Sequence, residues 1–295
     1  MPMALIELRD VSKLYGFGDA TTLALDEVSL DIDQGEFLAI MGPSGCGKST
    51  LMHIIGLLDR PTHGDYLLST RNVARLRHAQ AAHIRRDTIG FIFQSFNLIP
   101  RMTVLENVAL PLVYKGYSFT KRLQIASNIL ERVGMKDREY FYPSQLSGGQ
   151  IQSAAIARAL VTDPKLIIAD EPTGNLDSAG SRLVMELLSE VHRSGNTVLF
   201  VTHNPELTRY ASRVVYMRDG AIVHDERSAI GDIAEGARRT MYVMQKTEED
   251  DIAGVSMLMD NVGQPVQKRP RRKVTKPSTR RTIVKRRPPK SKVSS

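Results

Sequence analysis

The chain contains one cysteine, Cys46, in 295 residues. A single thiol excludes an intramolecular disulfide framework and fits a reducing compartment. Tryptophan is absent, and no run approaches the ~18 apolar residues that a spanning helix requires. The longest apolar stretch, Leu51–Leu58, is broken by His53 and Gly56. No charged-plus-apolar leader precedes Leu5. These absences predict a soluble, cytosolic chain that meets a membrane only through a partner. With 42% hydrophobic and 24% charged residues, the composition is globular rather than fibrous, collagen-like or membrane-spanning.

Acidic residues are missing from one end. Lys268–Ser295 holds 13 Lys and Arg and no Asp or Glu. The formal charge of +8 therefore divides: 27 basic residues face 32 acidic ones in Met1–Gln267, a net −5 there. Any polyanion partner implied by bulk charge is confined to the tail. Residues 264–295 mix Lys and Arg with five prolines and lack aromatics, so they cannot bury a core and are expected to be disordered. Three uses stay open for Lys268–Ser295: a solvated tail, contact with anionic lipid, or non-specific contact with nucleic acid. Sequence-specific reading is not expected without stacking residues. Residues 228–263, with Met241, Met244 and Met257 around the acidic run Glu248–Asp251, read as a docking segment or a linker.

The body alternates strands and helices. Strands are expected at Leu5–Leu8, Leu23–Ile32, Phe37–Met41, Asp87–Phe93, Leu166–Ala169 and Thr197–Val201. Helices are expected at Lys48–Leu58, Phe119–Val133, Gln150–Leu160 and Gly180–Arg193. In the last of these Val184, Leu187, Leu188 and Val191 share a face. Asp219-Gly220 between two apolar runs predicts a hairpin. The pattern predicts an α/β fold with a buried parallel sheet, an antiparallel N-terminal piece, and a packed domain ending near Val223–Arg227.

Three motifs carry chemistry. Gly42-Pro43-Ser44-Gly45-Cys46-Gly47-Lys48-Ser49-Thr50 matches G-x-x-x-x-G-K-[ST] between an expected strand and an expected helix. Small residues let backbone N–H groups wrap phosphates at a helix N-terminus. Lys48 would reach the β/γ oxygens and Ser49 would ligate Mg²⁺. Cys46 inside the loop reads more simply as a small filler than as a reactive thiol. Leu166-Ile167-Ile168-Ala169-Asp170-Glu171 is an apolar strand ending in two carboxylates. There Asp170 can hold the Mg²⁺ shell and Glu171 can polarise a water. Leu146-Ser147-Gly148-Gly149-Gln150 opens the alanine-rich helix. It reads either as a capped helix start or as a second anion site with no lysine of its own, completed by another chain.

Together the phosphate loop, LSGGQ at 146–150 and LIIADEPTGNLD at 166–177 resemble the nucleotide-binding domain of ABC ATPases, over about Leu5–Asp225. The resemblance implies a P-loop NTPase fold with antiparallel β and helical subdomains. It implies ATP and Mg²⁺ as ligands, and a head-to-tail homodimer in which each ATP lies between the loop of one copy and LSGGQ of the other. It implies roles for Tyr15, stacking on adenine; Gln94, contacting Mg²⁺ or the attacking water; Asp177, crossing the dimer interface; and His203, touching the γ-phosphate. The other six histidines lack metal-ligand company and read as structural.

Ser49–Thr62, Phe91–Leu98 and Thr103–Leu112 are similar to the macrolide-exporter and lipoprotein-release (MacB/LolD-type) ATPases, which drive a permease from the cytoplasmic face. That likeness implies permease docking near Gln94–Tyr114, with Phe96, Leu98, Ile99, Leu112 and Tyr114 as candidate apolar anchors or core residues. It also leaves open a regulatory ATPase that signals to a cell-envelope or division-associated hydrolase complex. A nucleic-acid-handling ABC protein is disfavoured, since a second nucleotide domain, a zinc insert and a coiled coil are all absent. Two positions depart from the family pattern: Ser153 stands where an arginine is usual, and Asn204 where an aspartate is common.

Overall fold

The computed structural model describes residues 4–16 and 20–227, all within a compact unit spanning Met1–Gln245. The extension at 228–263 and the basic tail at 264–295, with its candidate lipid and nucleic-acid contacts, lie outside the described residues.

Two sheets organise the chain. The first is antiparallel, in the order β2-β1-β4-β5. It is built from β1 (Ala4–Tyr15), β2 (Thr22–Asp33), β4 (His63–Leu68) and β5 (Arg71–Asn72). The second has the order β10-β9-β3-β8-β7-β6. Its members are β3 (Phe37–Met41), β6 (Ile89–Ile92), β7 (Leu166–Asp170), β8 (Thr197–Val201), β9 (Arg213–Arg218) and β10 (Ala221–Arg227). All its neighbours are parallel except the β9–β10 hairpin.

β3 and β8 are buried at every position because both faces of this sheet are covered, which is why they read as continuous apolar runs. Alternation within them sorts side chains between two cores. Leu38, Ile40, Leu199 and Val201 face the antiparallel sheet and α1 (Lys48–Ile55). Phe37, Ala39, Met41, Val198 and Phe200 face α6 (Ser178–Arg193). A third core lies among α3 (Val104–Tyr114), α4 (Phe119–Arg132) and α5 (Gly148–Leu160). α5 serves two cores, with Ile156 and Ala159 against the sheet and Ala154 and Ala157 inside the helical group. Small side chains on opposite faces permit that double packing.

Four differences from the sequence reading have physical causes. β1 runs on to Tyr15 rather than ending at Leu8. Register shifts at Leu8/Val11 and Lys13/Leu14, with Asp10 at φ +49°, break the alternation that would reveal it. α1 stops at Ile55 rather than Leu58; Leu57 adopts φ +56°, incompatible with helix. α2 (His78–Thr88) buries only Ala81, so it has almost no apolar stripe to detect. α3 contains Pro111, a breaker, although the Thr103/Glu106 capping box announces its start.

Candidate active site

Adjacent parallel strands end at one edge, and here four consecutive strands do so. β3 runs into the phosphate loop, β8 into Thr202-His203, β7 into Glu171, and β6 into Phe93-Gln94. Residues scattered over 160 positions of sequence thus share the carboxyl edge of one sheet, where open α/β folds bind ligands.

The phosphate loop is tied down from below. Gly42, at φ +151°, passes so close to the Met217 carbonyl that a Cβ would collide with it. Gly47 starts α1 at φ +105°, and its Cβ would lie 2.6 Å from the Ala24 oxygen. Gly45 has nothing within 4 Å of a Cβ and faces open space. Cys46 lies in the core beneath the loop, 4% exposed. Burial pushes its thiol pKa up, against the pull of Lys48, which disfavours a thiolate and suits a filler. Lys48 folds back, its Nζ donating to the carbonyls of Gly42 at 2.8 Å and Pro43 at 2.7 Å. Phosphate oxygens at the loop would take over those donors, and Pro43, Ser44, Gly45, Ser49 and Thr50 are the rest of the rim. Gly42→Ala is expected to displace the loop and weaken nucleotide binding by at least about 2 kcal/mol, checked by calorimetric titration with ATP.

Asp170 ends β7 half-buried, and its carboxyl pKa is raised by burial and then by the neighbouring Glu171 charge, with His53 and Lys48 opposing. A cation would relieve that cost. No group of three or more His, Cys, Asp or Glu able to hold a metal occurs among the described residues. The donor set of Asp170 and Ser49 therefore fits Mg²⁺ that brings oxygen ligands on a nucleotide, its usual mode. Glu171 sits at φ +42°, pinned by its N–H to the Val201 carbonyl at 3.1 Å. Its carboxylate meets His203 Nδ1 at 2.9 Å. A polar cavity of 450 Å³ opens beside this pair, lined in part by Thr202, Arg182 and Arg209, with room for water. Gln94 packs against Gly174, and its carbonyl accepts from Asn175 Nδ2 at 3.0 Å.

The remaining predicted residues form a second group. Ser147 caps α5, accepting from the Gln150 N–H at 3.4 Å, while Gln150 Oε1 accepts from the Ser147 N–H at 3.0 Å. Asp177 caps α6 through the Gly180 N–H at 2.7 Å. Gly148 and Gly149 lie against Leu176 and Gly180, with room for no more than a tight Cβ at Gly148. α1 packs on β2, β7 and β8, whereas α5 packs on α3, α4, α6 and β6. Loop and signature belong to different packing groups.

Ser153 is buried, and its hydroxyl donates to the Gly149 carbonyl at 3.0 Å. Asn204 caps the following turn, accepting from the Glu206 N–H at 2.9 Å. Tyr15 ends β1 and is 41% exposed.

Two residues escaped the sequence reading as site components. Asn107, fully buried, holds the backbone of Ile99, Met102 and Thr103. Arg158 donates to the carbonyls of Phe96 and Asn97, linking α5 to the segment after Gln94. An asparagine and an arginine within otherwise apolar helical segments were the available signals.

A family model described as ABC transporter matches residues 25–174. The chain is 49% identical over 230 residues to the uncharacterized ABC transporter ATP-binding protein YvrO of Bacillus subtilis, covering 78% of this chain and 99% of that one. It is 48% identical over 225 residues to the macrolide export ATP-binding/permease protein MacB of Hyphomonas neptunium, covering 76% of this chain but 35% of that protein. The dimeric post-hydrolysis structure of the ATP-binding cassette MJ0796 bound to ADP and Pi is similar at a TM-score of 0.70 and 43% identity, over 75% of this chain and 98% of that one. Motifs, fold and relatives agree: this chain belongs to the ABC transporter family, as one of its ATP-hydrolysing subunits.

Proposed function

We propose that residues 1–227 form the ATPase domain of a MacB/LolD-type transporter, acting with Mg²⁺ as a head-to-tail homodimer beneath a membrane-embedded permease. The observation that carries this reading is the gathering of the phosphate loop, Gln94, Asp170, Glu171 and His203 on one sheet edge, while Ser147–Gln150 belongs to another packing group. One chain presents two halves of a site, and two copies complete two sites. The dimeric cassette and the permease fused within MacB-named relatives support the same arrangement.

Lys48 and the loop N–H groups bind the phosphates, and Tyr15 receives the base. Asp170 and Ser49 would hold Mg²⁺, which supplies charge neutralisation at the β/γ oxygens. Glu171 accepts a proton from the attacking water, and His203, held against it, orients toward the γ-phosphate. The Ser147 hydroxyl and the α5 N-terminus of the second copy close the site from the other side. Positioning and electrostatics supply most of the rate.

A groove of 880 Å³ is the proposed seat for a short helix of the permease. It is lined by Phe91, Phe93, Leu110, Pro111 and Tyr114, with Arg86 and Arg158 beside them. Of the five anchors named from sequence, Tyr114 alone lines it. Leu112 is buried in the helical core and Leu98 packs against it, so these two are core residues. Movement in the groove would reach Gln94 through Arg158 and the carbonyls of Phe96 and Asn97.

The experiment is co-purification with the co-expressed permease. Tyr114→Asp should leave hydrolysis by the isolated chain unchanged and weaken permease capture by about 2 kcal/mol, roughly thirtyfold. Equal capture would place the permease elsewhere.

A further inference from the structure

We propose that Lys13 and Asp59 are positioning residues for ATP, locking the Tyr15 ring as a one-sided platform for the base. The inference rests on Tyr15 being the base platform, the role its motif implies. Neither Lys13 nor Asp59 belongs to the phosphate loop, the carboxylate pair or the signature.

Lys13 and Tyr15 are two apart near the end of β1, and both side chains reach Asp59. The Lys13 ammonium lies 4.9 Å from the Tyr15 ring centroid, a cation over one π face. It is not free to swing away. Its Nζ donates to Asp59 Oδ1 at 2.6 Å and to the Arg60 carbonyl at 2.8 Å. The other oxygen of Asp59 accepts from the Tyr15 hydroxyl at 2.8 Å. One carboxylate therefore grips both the ring's tip and the cation on its face.

Asp59, which grips the Tyr15 hydroxyl, follows shortly after the end of α1, so the platform is fastened to the helix that opens at the phosphates. Burial alone would raise the Asp59 pKa, but Lys13, the Arg60 N–H and the Tyr15 hydroxyl hold it below the usual carboxylate range. The anchor is charged at neutral pH.

The physical consequence is pre-organisation. A half-exposed aromatic at a strand end would otherwise lose rotamer freedom when a base stacked on it, and binding would weaken by that cost. With one face covered by the ammonium, the open face is the remaining one for a base. The distance between base platform and phosphate loop is set by residues on either end of α1.

The test compares ATP with inorganic tripolyphosphate, which engages the phosphate loop but has no base. Dissociation constants are measured on the full chain with Mg²⁺ for Lys13→Met, Lys13→Arg, Asp59→Asn and Tyr15→Leu. Asp59→Asn retains an acceptor for the Arg60 N–H, which now bonds Oδ1 at 2.7 Å, so the turn is kept. Tyr15→Leu should weaken ATP by roughly tenfold or more, the scale of base–aromatic stacking. Lys13→Met and Asp59→Asn should weaken ATP by about three- to tenfold while tripolyphosphate stays within about twofold. KM should rise with kcat at saturation unchanged, and Lys13→Arg should restore most of the affinity.

Unchanged ATP affinity in Lys13→Met and Asp59→Asn, with Tyr15→Leu weakened, overturns the positioning role and leaves the platform intact. Parallel weakening of ATP and tripolyphosphate marks general distortion of the loop and also overturns it. An unaltered ATP-to-tripolyphosphate ratio in Tyr15→Leu removes the platform itself, and the positioning role with it.

Discussion

Glu171→Gln is expected to lower steady-state ATP hydrolysis by roughly 10²- to 10⁴-fold while nucleotide binding persists and the chain accumulates as a closed dimer. The glutamine keeps the size and hydrogen-bonding reach of the native side chain, so the 2.9 Å contact to His203 can be remade. What it loses is the negative charge and the lone pairs that accept a proton from water. Nothing in the phosphate loop changes, so Lys48 and the loop N–H groups still bind ATP. The backbone at Glu171, at φ +42°, is held by flanking hydrogen bonds rather than by the side chain. The check is phosphate release at saturating ATP, together with the mass of the complex by light scattering. Turnover at the wild-type rate would remove Glu171 from the role of base.

Arg213→Met is expected to destabilise the fold by about 3–5 kcal/mol, the usual cost of breaking a buried ion pair from one side. The Arg213 side chain is 5% exposed. It donates to Asp225 at 2.7 and 2.6 Å, to Glu36 at 3.2 Å, and to the Asp31 carbonyl at 2.7 Å. One guanidinium thus joins β9 to β10, to the turn before β3, and to β2 in the other sheet. Its removal leaves Glu36, whose side chain is only 10% exposed, with the Asp33 N–H at 3.0 Å and Arg227 at 3.7 Å as its remaining partners. For a domain of this size the melting temperature should fall by roughly 10 °C or more.

A pH dependence accompanies that change. The Arg213 hydrogen bonds hold the Asp225 carboxyl below the usual aspartate range. Its contribution is therefore full above the unfolded pKa and is lost as pH falls through the lower, folded value. Thermal melts of the wild type should show that acid loss, and the Asp225 part of it should vanish in Arg213→Met. An unchanged acid profile would mean the pair contributes nothing measurable.

How much was legible beforehand depended on how local the cause was. The strand–loop–helix around Gly42–Thr50 was readable because its small residues, lysine and flanking apolar run act within ten positions. The β9–β10 hairpin was readable from Asp219-Gly220 for the same reason. α2 was not, since a helix that buries only Ala81 leaves no periodic mark. The far end of β1 was not, since its bulges shift the alternation that marks a strand. Leu112 and Leu98 read equally as anchors or as core residues, because an apolar residue carries no label for which surface or core it joins; both belong to the helical core.

The residue types and their spacing were enough to establish the chemistry: a phosphate cradle, a strand-end carboxylate pair, and a second glycine-rich helix start with no lysine. Local backbone geometry needs only near neighbours, so it can be read along the chain. The strand order β3-β8-β7-β6 could not be read that way. It brings Glu171 to His203 across 32 positions, and the contact between β1 and the end of α1 brings Asp59 to Tyr15 across 44. Such pairings are chosen by the joint burial of three cores, a property of the whole chain rather than of any segment. Ser147 and Asp177 show the converse. Both are caps within one chain, and the role proposed for them at ATP would require a second copy.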